Sequence, residues 1–266
     1  MAAGLLFLYG LPAMLPRNPE AWLAEVFCSV QGEGPLAGVR QVFVRFAGCH
    51  RRCRFCDTSA ALLTRPKTWM LETATGRDRH ETNPVAGERL VKILSALSGG
   101  PFHSIALTGG EPLLQAEFLQ AALPRLRRVG WKIYLETAGD RWRELQQILP
   151  HLDYIAMDIK LPGVTGQPGS WQAHRKFLEV ATASRASTFV KIVASHATVA
   201  AQLRRAARLV AAVAPLMPVI LQPATPHAGV CAPTAPQLWR WQQLMLAAGL
   251  RDVRVLPQMH VAMKLR

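Results

Sequence analysis

Short apolar runs alternate with longer amphipathic segments along most of this chain. Seven runs predict β-strands, at 42–46, 104–107, 132–136, 154–160, 188–193, 218–222 and 253–256. Segments that repeat apolar residues with the period of a helix lie between most of them, at 88–97, 113–128, 141–150, 171–184, 198–213 and 236–249. Strands that recur about every 30 residues with helices between them are typical of βαβ units and a parallel sheet.

This alternation predicts an α/β fold, a partial and open TIM-like β/α barrel with mostly parallel strands. Chemistry in such barrels lies on the loops that follow the carboxyl ends of the strands. Residues suited to binding or catalysis follow or end five of the predicted strands: Cys49, Gly109, Glu136, Lys160 and Gln222. We expect one domain over 23–266 after an N-terminal extension over 1–22. The polar, poorly periodic segment 59–87 is predicted to be a long surface excursion.

Composition narrows the class of protein. Half of the 266 residues are apolar and 18% are charged, which excludes a disordered chain. No run of 18 apolar residues is present, so we expect no membrane span. The apolar start of the chain lacks a basic region and is interrupted by Gly10 and Pro12, unlike a signal peptide. The net charge of +14 comes from scattered arginines, which favours solvated helix faces over a nucleic-acid site.

Three of the five cysteines lie close together, Cys49, Cys53 and Cys56, in a C-x3-C-x2-C spacing. Three thiolates on one short loop can hold a 4Fe-4S cluster and leave the fourth iron open. A tetrahedral zinc site needs a fourth ligand; His50 is too close to Cys49 to serve easily, and Cys231 is isolated. The cluster interpretation requires a reducing compartment, so we expect a cytoplasmic protein.

Two further features indicate a binding site for a small molecule. Gln31 and Glu33 flank a glycine, and their side chains suit the donor and acceptor edge of a flat heterocycle. Arg45 shares one face of its strand with Phe43, and an arginine inside a barrel needs an anion. That anion is either a substrate carboxylate or an internal acidic residue.

The C-x3-C-x2-C spacing, followed by Thr108-Gly109-Gly110-Glu111-Pro112, resembles the radical S-adenosylmethionine superfamily. The stretches 25–35, 42–49 and 255–260 resemble the 7-carboxy-7-deazaguanine synthase family within it. The resemblance implies a barrel of the radical SAM type that holds a 4Fe-4S cluster, S-adenosyl-L-methionine and Mg²⁺. It implies a lyase of 7-deazapurine (queuosine) biosynthesis, in which a 5′-deoxyadenosyl radical starts the contraction of 6-carboxy-5,6,7,8-tetrahydropterin to 7-carboxy-7-deazaguanine and ammonia.

The resemblance also implies roles for individual residues, and it names Thr58 as a ligand of Mg²⁺. The substrate would be bound by Val30, Gln31, Gly32, Glu33, Arg45 and Thr108. S-adenosylmethionine would contact Phe55, Cys56, Asp57, Gly110, Glu111, Asp158, Ile159, Lys160 and Gln222. No catalytic base is assigned, although Glu33 is a candidate acid or base. A homodimer and a flavodoxin-like or other low-potential electron donor are expected on the same ground.

One departure from the family and two alternative functions stay open. The chain has Glu136-Thr137-Ala138-Gly139 where the family usually has Glu-Thr-Asn-Gly, so one amide contact is missing. An activating enzyme that makes a glycyl radical on a partner protein would share the cysteine spacing and the Gly-Gly-Glu-Pro element. A zinc-knuckle protein that binds RNA would use the cysteines and the positive charge differently.

Overall fold

The computed structural model describes residues 19–72, 78–97 and 100–265. Within these ranges the strands are β1 (Glu20–Ala21), β2 (Leu23–Val30), β3 (Arg40–Phe46), β4 (Thr68–Leu71), β5 (Arg79–Thr82), β6 (Val85–Ala86), β7 (Ser104–Gly109), β8 (Ile133–Thr137), β9 (Tyr154–Asp158), β10 (Ser187–Ala194), β11 (Val219–Pro223) and β12 (Val253–Val255). The helices are α1 (Gly87–Ala96), α2 (Ala116–Arg128), α3 (Trp142–Ile148), α4 (Pro162–Thr165), α5 (Trp171–Thr182), α6 (Ala200–Val213), α7 (Ala235–Ala247) and α8 (Met259–Ala262).

The main sheet confirms the predicted partial barrel. Its strand order is β12-β11-β10-β9-β8-β7-β3-β2-β4-β5, and neighbours from β12 to β3 all pair in parallel. These parallel strands are the seven that the apolar runs predict. Strand β2 then pairs antiparallel with β3, and the two end strands do not meet, so the barrel stays open.

The helices cover the outer face of the sheet. Neighbouring helices pack side by side in the order α1, α2, α3, α5, α6 and α7. In α1 the predicted apolar stripe faces inward, with Leu90 and Leu94 buried. Within the described ranges no helix is long and apolar enough to cross a membrane.

The predicted surface excursion over 59–87 is wrong for much of its length. Strand β4 joins the main sheet beside β2, and β5 pairs with β4. Trp69 and Leu71 alternate inward from β4 and are buried, so this segment extends the core. Residues 73–77 lie outside the described ranges, as do residues 1–18 of the predicted N-terminal extension. Strand β1 pairs with β6, and Ala21 is buried.

The inner face of the barrel consists of two layers. Side chains alternate along a strand, so residues two positions apart share a face. An apolar floor is formed by Phe27, Phe43, Ala106, Tyr134, Ala156, Phe189 and Ile220. Two residues further along six strands lies a polar ring, formed by Arg45, Thr108, Glu136, Asp158, Lys191 and Gln222. The sheet register therefore sets polar side chains on an apolar base at the edge where barrels carry their chemistry.

Candidate functional site

A cavity of about 490 Å³ lies at the carboxyl edge of the parallel strands. Its walls are the polar ring, the loop after β2, the cysteine loop (residues 49–56) and the C-terminal segment that includes α8. The predicted site residues that line it are Val30, Gln31, Gly32, Glu33, Arg45, Cys49, Cys53, Phe55, Cys56, Asp57, Thr58, Thr108, Gly110, Asp158, Lys160 and Gln222. The fold thus brings together residues that are up to about 190 positions apart in the chain.

Two of the predicted site residues do not line the cavity. Ile159 packs in the hydrophobic core. Glu111 is fully buried, and its carboxylate accepts hydrogen bonds from Thr137 Oγ1 at 2.8 Å and the Ala138 amide at 2.8 Å. Burial raises the pKa of Glu111. In this structure Glu111 joins the loops after β7 and β8.

The three cysteines form an open set of thiols around one part of the cavity. None of them is in a disulfide, and all three are partly buried. Among the described residues no group of three or more candidate ligands converges tightly enough for a single metal ion. Burial raises the pKa of Cys49 and Cys53, so both thiols are neutral near pH 7 before a metal replaces the protons.

The Gly-Gly-Glu-Pro element packs against the backbone that immediately precedes the cysteine loop. A Cβ atom at Gly110 would lie 2.0 Å from the carbonyl oxygen of Gly48, so only glycine fits there. The Glu111 amide donates to the same carbonyl at 2.9 Å. These contacts fix the position of the backbone immediately before Cys49.

Asp140 braces the cysteine loop from the loop after β8. His50 Nε2 lies 3.0 Å from its carboxylate, and Arg51 Nε donates to it at 3.1 Å. Arg51 also donates to Ser170 Oγ at 2.6 Å. Burial alone would raise the pKa of Asp140, but the contacts with His50 and Arg51 hold it well below its usual range. Arg51 therefore serves an ion pair within the protein.

We expect Asp140→Ala to lower the free energy of unfolding by about 3 kcal/mol, because it leaves the Arg51 guanidinium buried without its partner. The matched control is Asp252→Ala. Asp252 pairs with Arg254, whose side chain is 49% exposed, and such pairs contribute less than about 1 kcal/mol. Differential scanning calorimetry of the cluster-free protein measures both changes. Equal effects of the two substitutions would show that the brace does not stabilise the fold.

The side chain of Gln31 is already engaged by the protein. Its Nε2 donates to Gln41 Oε1 at 2.9 Å and to Glu136 Oε1 at 3.0 Å, and its Oε1 accepts from the Glu33 amide at 3.0 Å. Thr108 Oγ1 donates to the other oxygen of Glu136 at 2.7 Å. Gln31 thus orients the carboxylate of Glu136 and fixes the backbone at Glu33, and both of these residues line the cavity.

Glu33 receives more partners than any sequence pattern indicates. Its carboxylate is bonded by Lys191 Nζ, by Gln222 Nε2 at 3.0 Å and by Gln258 Nε2 at 2.8 Å. Burial alone would raise the pKa of Glu33, but Lys191 and the two amides lower it to about 2. Glu33 is therefore a fixed carboxylate near neutral pH, suited to accept hydrogen bonds and unsuited to act as an acid.

The sequence motifs do not indicate Lys191 or Gln258 as site residues, and they place Glu136 at a strand end without giving it a role, yet all three line the cavity. Lys191 interrupts an apolar strand two positions after Phe189, which is the one pattern that could have revealed it. Gln258 also donates to Asp57 Oδ2 at 3.3 Å and so joins the C-terminal segment to the cysteine loop.

Arg45 meets both an internal acid and the cavity. Its Nε donates to Glu25 Oε1 at 2.6 Å, and its Nη1 donates to Thr58 Oγ1 at 3.2 Å. These bonds use two of the five N–H groups of the Arg45 guanidinium. The other N–H groups can still donate to a carboxylate in the cavity. Thr58 in turn donates to Asp57 Oδ1 at 2.9 Å.

The sequence profile of the Radical SAM superfamily matches residues 43–182. The chain is 40% identical to a 7-carboxy-7-deazaguanine synthase of Geobacter sulfurreducens over 248 residues, which cover 91% of this chain and 97% of that protein. It is 32% identical to one of Methanothermobacter thermautotrophicus, covering 95% and 100%. This chain belongs to the 7-carboxy-7-deazaguanine synthase family of the radical SAM superfamily. The predicted superfamily and the predicted family are both confirmed.

Solved structures show that the radical SAM fold is shared. QueE from Escherichia coli superposes with a TM-score of 0.57 at 19% identity, covering 91% of this chain and 95% of that one. A radical SAM methyltransferase from Sphaerobacter thermophilus gives a TM-score of 0.58 at 15% identity, covering 88% and 77%. At these identities the similarity concerns the fold.

The cavity of this radical SAM protein fits a 4Fe-4S cluster and S-adenosylmethionine. Three free thiols supply soft ligands for iron. Beside them Asp158 Oδ1 and Gln222 Oε1 are buried, and no described group donates a hydrogen bond to either. Buried acceptors without donors are costly, so these two oxygens are ready to receive N–H or O–H groups of a ligand.

Proposed function

We propose that this chain converts 6-carboxy-5,6,7,8-tetrahydropterin to 7-carboxy-7-deazaguanine and ammonia. The observation that carries the proposal is one cavity in which the three cluster thiols face a set of groups suited to a carboxylated heterocycle. Membership of the family favours this reaction over the activation of a partner protein or the binding of RNA.

The substrate half of the cavity is formed by Glu33, Arg45, Thr108 and Glu136. The carboxylates of Glu33 and Glu136 accept hydrogen bonds from the ring N–H and amine groups of the pterin, and the Arg45 fork binds its carboxylate. The apolar floor excludes water below the ring. The chain therefore orients the carbon that bears the carboxylate toward the cysteine loop.

The cofactor half is formed by the cysteine loop and the ends of β9 and β11. Cys49, Cys53 and Cys56 would hold the cluster, while Asp158 and Gln222 would bind S-adenosylmethionine. When bound, the cluster and S-adenosylmethionine supply the one-electron chemistry that abstracts a hydrogen atom from the substrate. Lys160 Nζ lies 4.9 Å from the centre of the Phe55 ring and donates to Asp158 at 2.8 Å, which fixes Phe55 and Asp158 in this half.

We also propose that Thr58 is a ligand of Mg²⁺. Its hydroxyl lies between Arg45 and Asp57, where the substrate carboxylate would arrive. Mg²⁺ is bound by few protein oxygens and keeps several waters, so one hydroxyl and the substrate carboxylate suffice.

Anaerobic turnover of the reconstituted protein tests the proposed reaction. Incubation with the pterin, S-adenosylmethionine, Mg²⁺ and dithionite should yield equal amounts of 7-carboxy-7-deazaguanine and ammonia, measured by mass spectrometry and an ammonia assay. Release of 5′-deoxyadenosine without a deazaguanine product would contradict the proposal and favour a polypeptide substrate.

The electron donor in this proposal is an acidic low-potential protein such as a flavodoxin. Arg54 is exposed in the cysteine loop of a strongly basic chain, which supports a negatively charged partner there. Arg54→Glu should slow flavodoxin-driven turnover about 10-fold at low salt and leave dithionite-driven turnover unchanged. Arg251→Glu, an exposed charge in the turn before β12, is the control. An equal loss with dithionite would place Arg54 in the site itself.

Two further parts of the proposal concern assembly and location. A homodimer is supported by exposed apolar residues outside the cavity, such as Trp239 and Leu246 of α7, and light scattering measures the mass. A cytoplasmic location is supported by the free thiols, which a cluster site needs in reduced form.

A further inference from the structure

Lys191 stands between the two halves of the cavity. It lies in the middle of β10, where its register partner on β9 is Asp158. Phe189 and Val193 share its face of the strand, and the lysine side chain is only 14% exposed. A lysine at such a position is costly unless negative groups surround its ammonium.

Those negative groups come from both halves. Lys191 Nζ pairs with Glu33, which belongs to the substrate half, and lies 3.5 Å from Asp158 Oδ2 in the cofactor half. Lys160 pairs with the same Asp158 oxygen at 2.8 Å. The charges of these four side chains therefore alternate across the cavity, from Glu33 through Lys191 and Asp158 to Lys160, and Glu136 adds a further negative charge near Lys191.

The loop that carries Glu33 rests on the same strand. A Cβ atom at Gly34 would lie 2.4 Å from the ring of Phe189, and Gly34 has a φ of +70°. The loop thus touches β10 at two neighbouring points, by the Gly34 backbone and by the Glu33 carboxylate. Strand β10 sets the height of this loop above the apolar floor.

We propose that Lys191 is a positioning residue that fixes the Glu33 carboxylate toward the pterin and links it to Asp158 across the cavity. The proposal rests on the proposed function, because it takes the Glu33 half as the pterin site. Without the ammonium, the carboxylates of Glu33 and Asp158 would share a largely buried space with Glu136 nearby, and the positive charge between them would be lost. Glu33 would then turn away or take up a proton, and its acceptor geometry would be lost.

Kinetics of Lys191→Met test the proposal. KM for the pterin should rise about 30-fold while kcat changes less than about threefold, because binding geometry is lost and the radical chemistry is not. Lys191→Arg should restore KM to within about fivefold, since it returns the charge. Lys132→Met, an exposed lysine immediately before β8, should leave both constants unchanged. Anaerobic calorimetric titration with the pterin gives the same comparison without turnover.

The double variant Glu33→Gln with Lys191→Met identifies the partner. If Lys191 acts through Glu33, the double variant should bind the pterin no more weakly than the worse single variant. Multiplied effects, or an unchanged KM in Lys191→Met, would overturn the proposal. If Lys191→Met does not fold, the double variant removes both charges and keeps the comparison with Glu33→Gln.

Failure of the proposed function gives a different result. A wild-type protein that neither binds nor converts the pterin would refute that function. The thermal stabilities of the two single variants and the double variant then still report whether Glu33 and Lys191 interact. Additive losses would refute the pairing, and non-additive losses would retain it for another substrate.

Discussion

Replacing Cys53 with serine is expected to abolish iron binding and turnover together. A cluster held by three thiolates loses a corner when one is removed, and a neutral hydroxyl does not replace it. Iron should fall from about four atoms per chain to a trace, and the brown absorbance should disappear. Deazaguanine formation should drop at least about 1000-fold, because the bound cofactors carry the difficult chemistry. Iron analysis and mass spectrometry of anaerobically prepared protein measure both.

Cys231→Ser is the matched control for this experiment. Cys231 is exposed and does not line the cavity, so its loss should leave both iron content and turnover unchanged. A Cys53→Ser protein that retains four iron atoms would refute the assignment of the cysteine loop. Stoichiometric zinc in the wild-type protein would instead favour the zinc-knuckle alternative.

The parallel part of the fold was predictable because both faces of those strands are covered. Strands such as β7 and β9 are therefore continuous apolar runs that stand out from the amphipathic helices. Their spacing alone predicts the order of units and the edge that carries chemistry. The cysteine loop and Thr108 lie at that edge, as predicted.

The antiparallel extension of the sheet was not predictable in the same way. Strand β4 buries only alternate residues, Trp69 and Leu71, and β5 consists of Arg-His-Glu-Thr with no buried side chain. A short edge strand of this kind has the composition of a loop. Pairing with β2 decides its structure, and that pairing joins segments about 45 residues apart.

The sequence pattern also could not predict which side chains the site residues bond to. Glu33 and Lys191 are separated by 158 positions and meet only because β10 passes beneath the loop after β2. Gln31 was predicted to contact the heterocycle; the structure places it in the cavity wall with its amide bonded to Gln41 and Glu136, two partners that the sequence does not indicate. Residue type indicated hydrogen bonding in both cases, and the choice of partner depends on the register of distant strands.

Arg45→Ala is expected to weaken pterin binding by about 2–4 kcal/mol, which is about 30- to 1000-fold in Kd. The substitution removes the two-pronged bond to the substrate carboxylate. It also removes the ion pair between Arg45 and Glu25, whose side chain is only 14% exposed, so less positive charge faces the incoming carboxylate. Anaerobic calorimetric titration measures the loss. The pterin affinity of Arg45→Lys should lie between those of the wild-type protein and Arg45→Ala, because lysine keeps the positive charge but lacks the planar guanidinium.

A pterin that lacks the 6-carboxylate provides the decisive control for Arg45. If Arg45 recognises that carboxylate, the wild-type protein should bind the truncated pterin weakly, and Arg45→Ala should weaken it little further. An equal loss for both pterins would mean that Arg45 acts only through Glu25 and Thr58, as a structural link between β2, β3 and the cysteine loop. A structural role through the ion pair with Glu25 predicts the same loss of affinity for both pterins, whereas a contact with the substrate carboxylate predicts a loss only for the carboxylated one. Comparing the two pterins therefore distinguishes the two roles of Arg45.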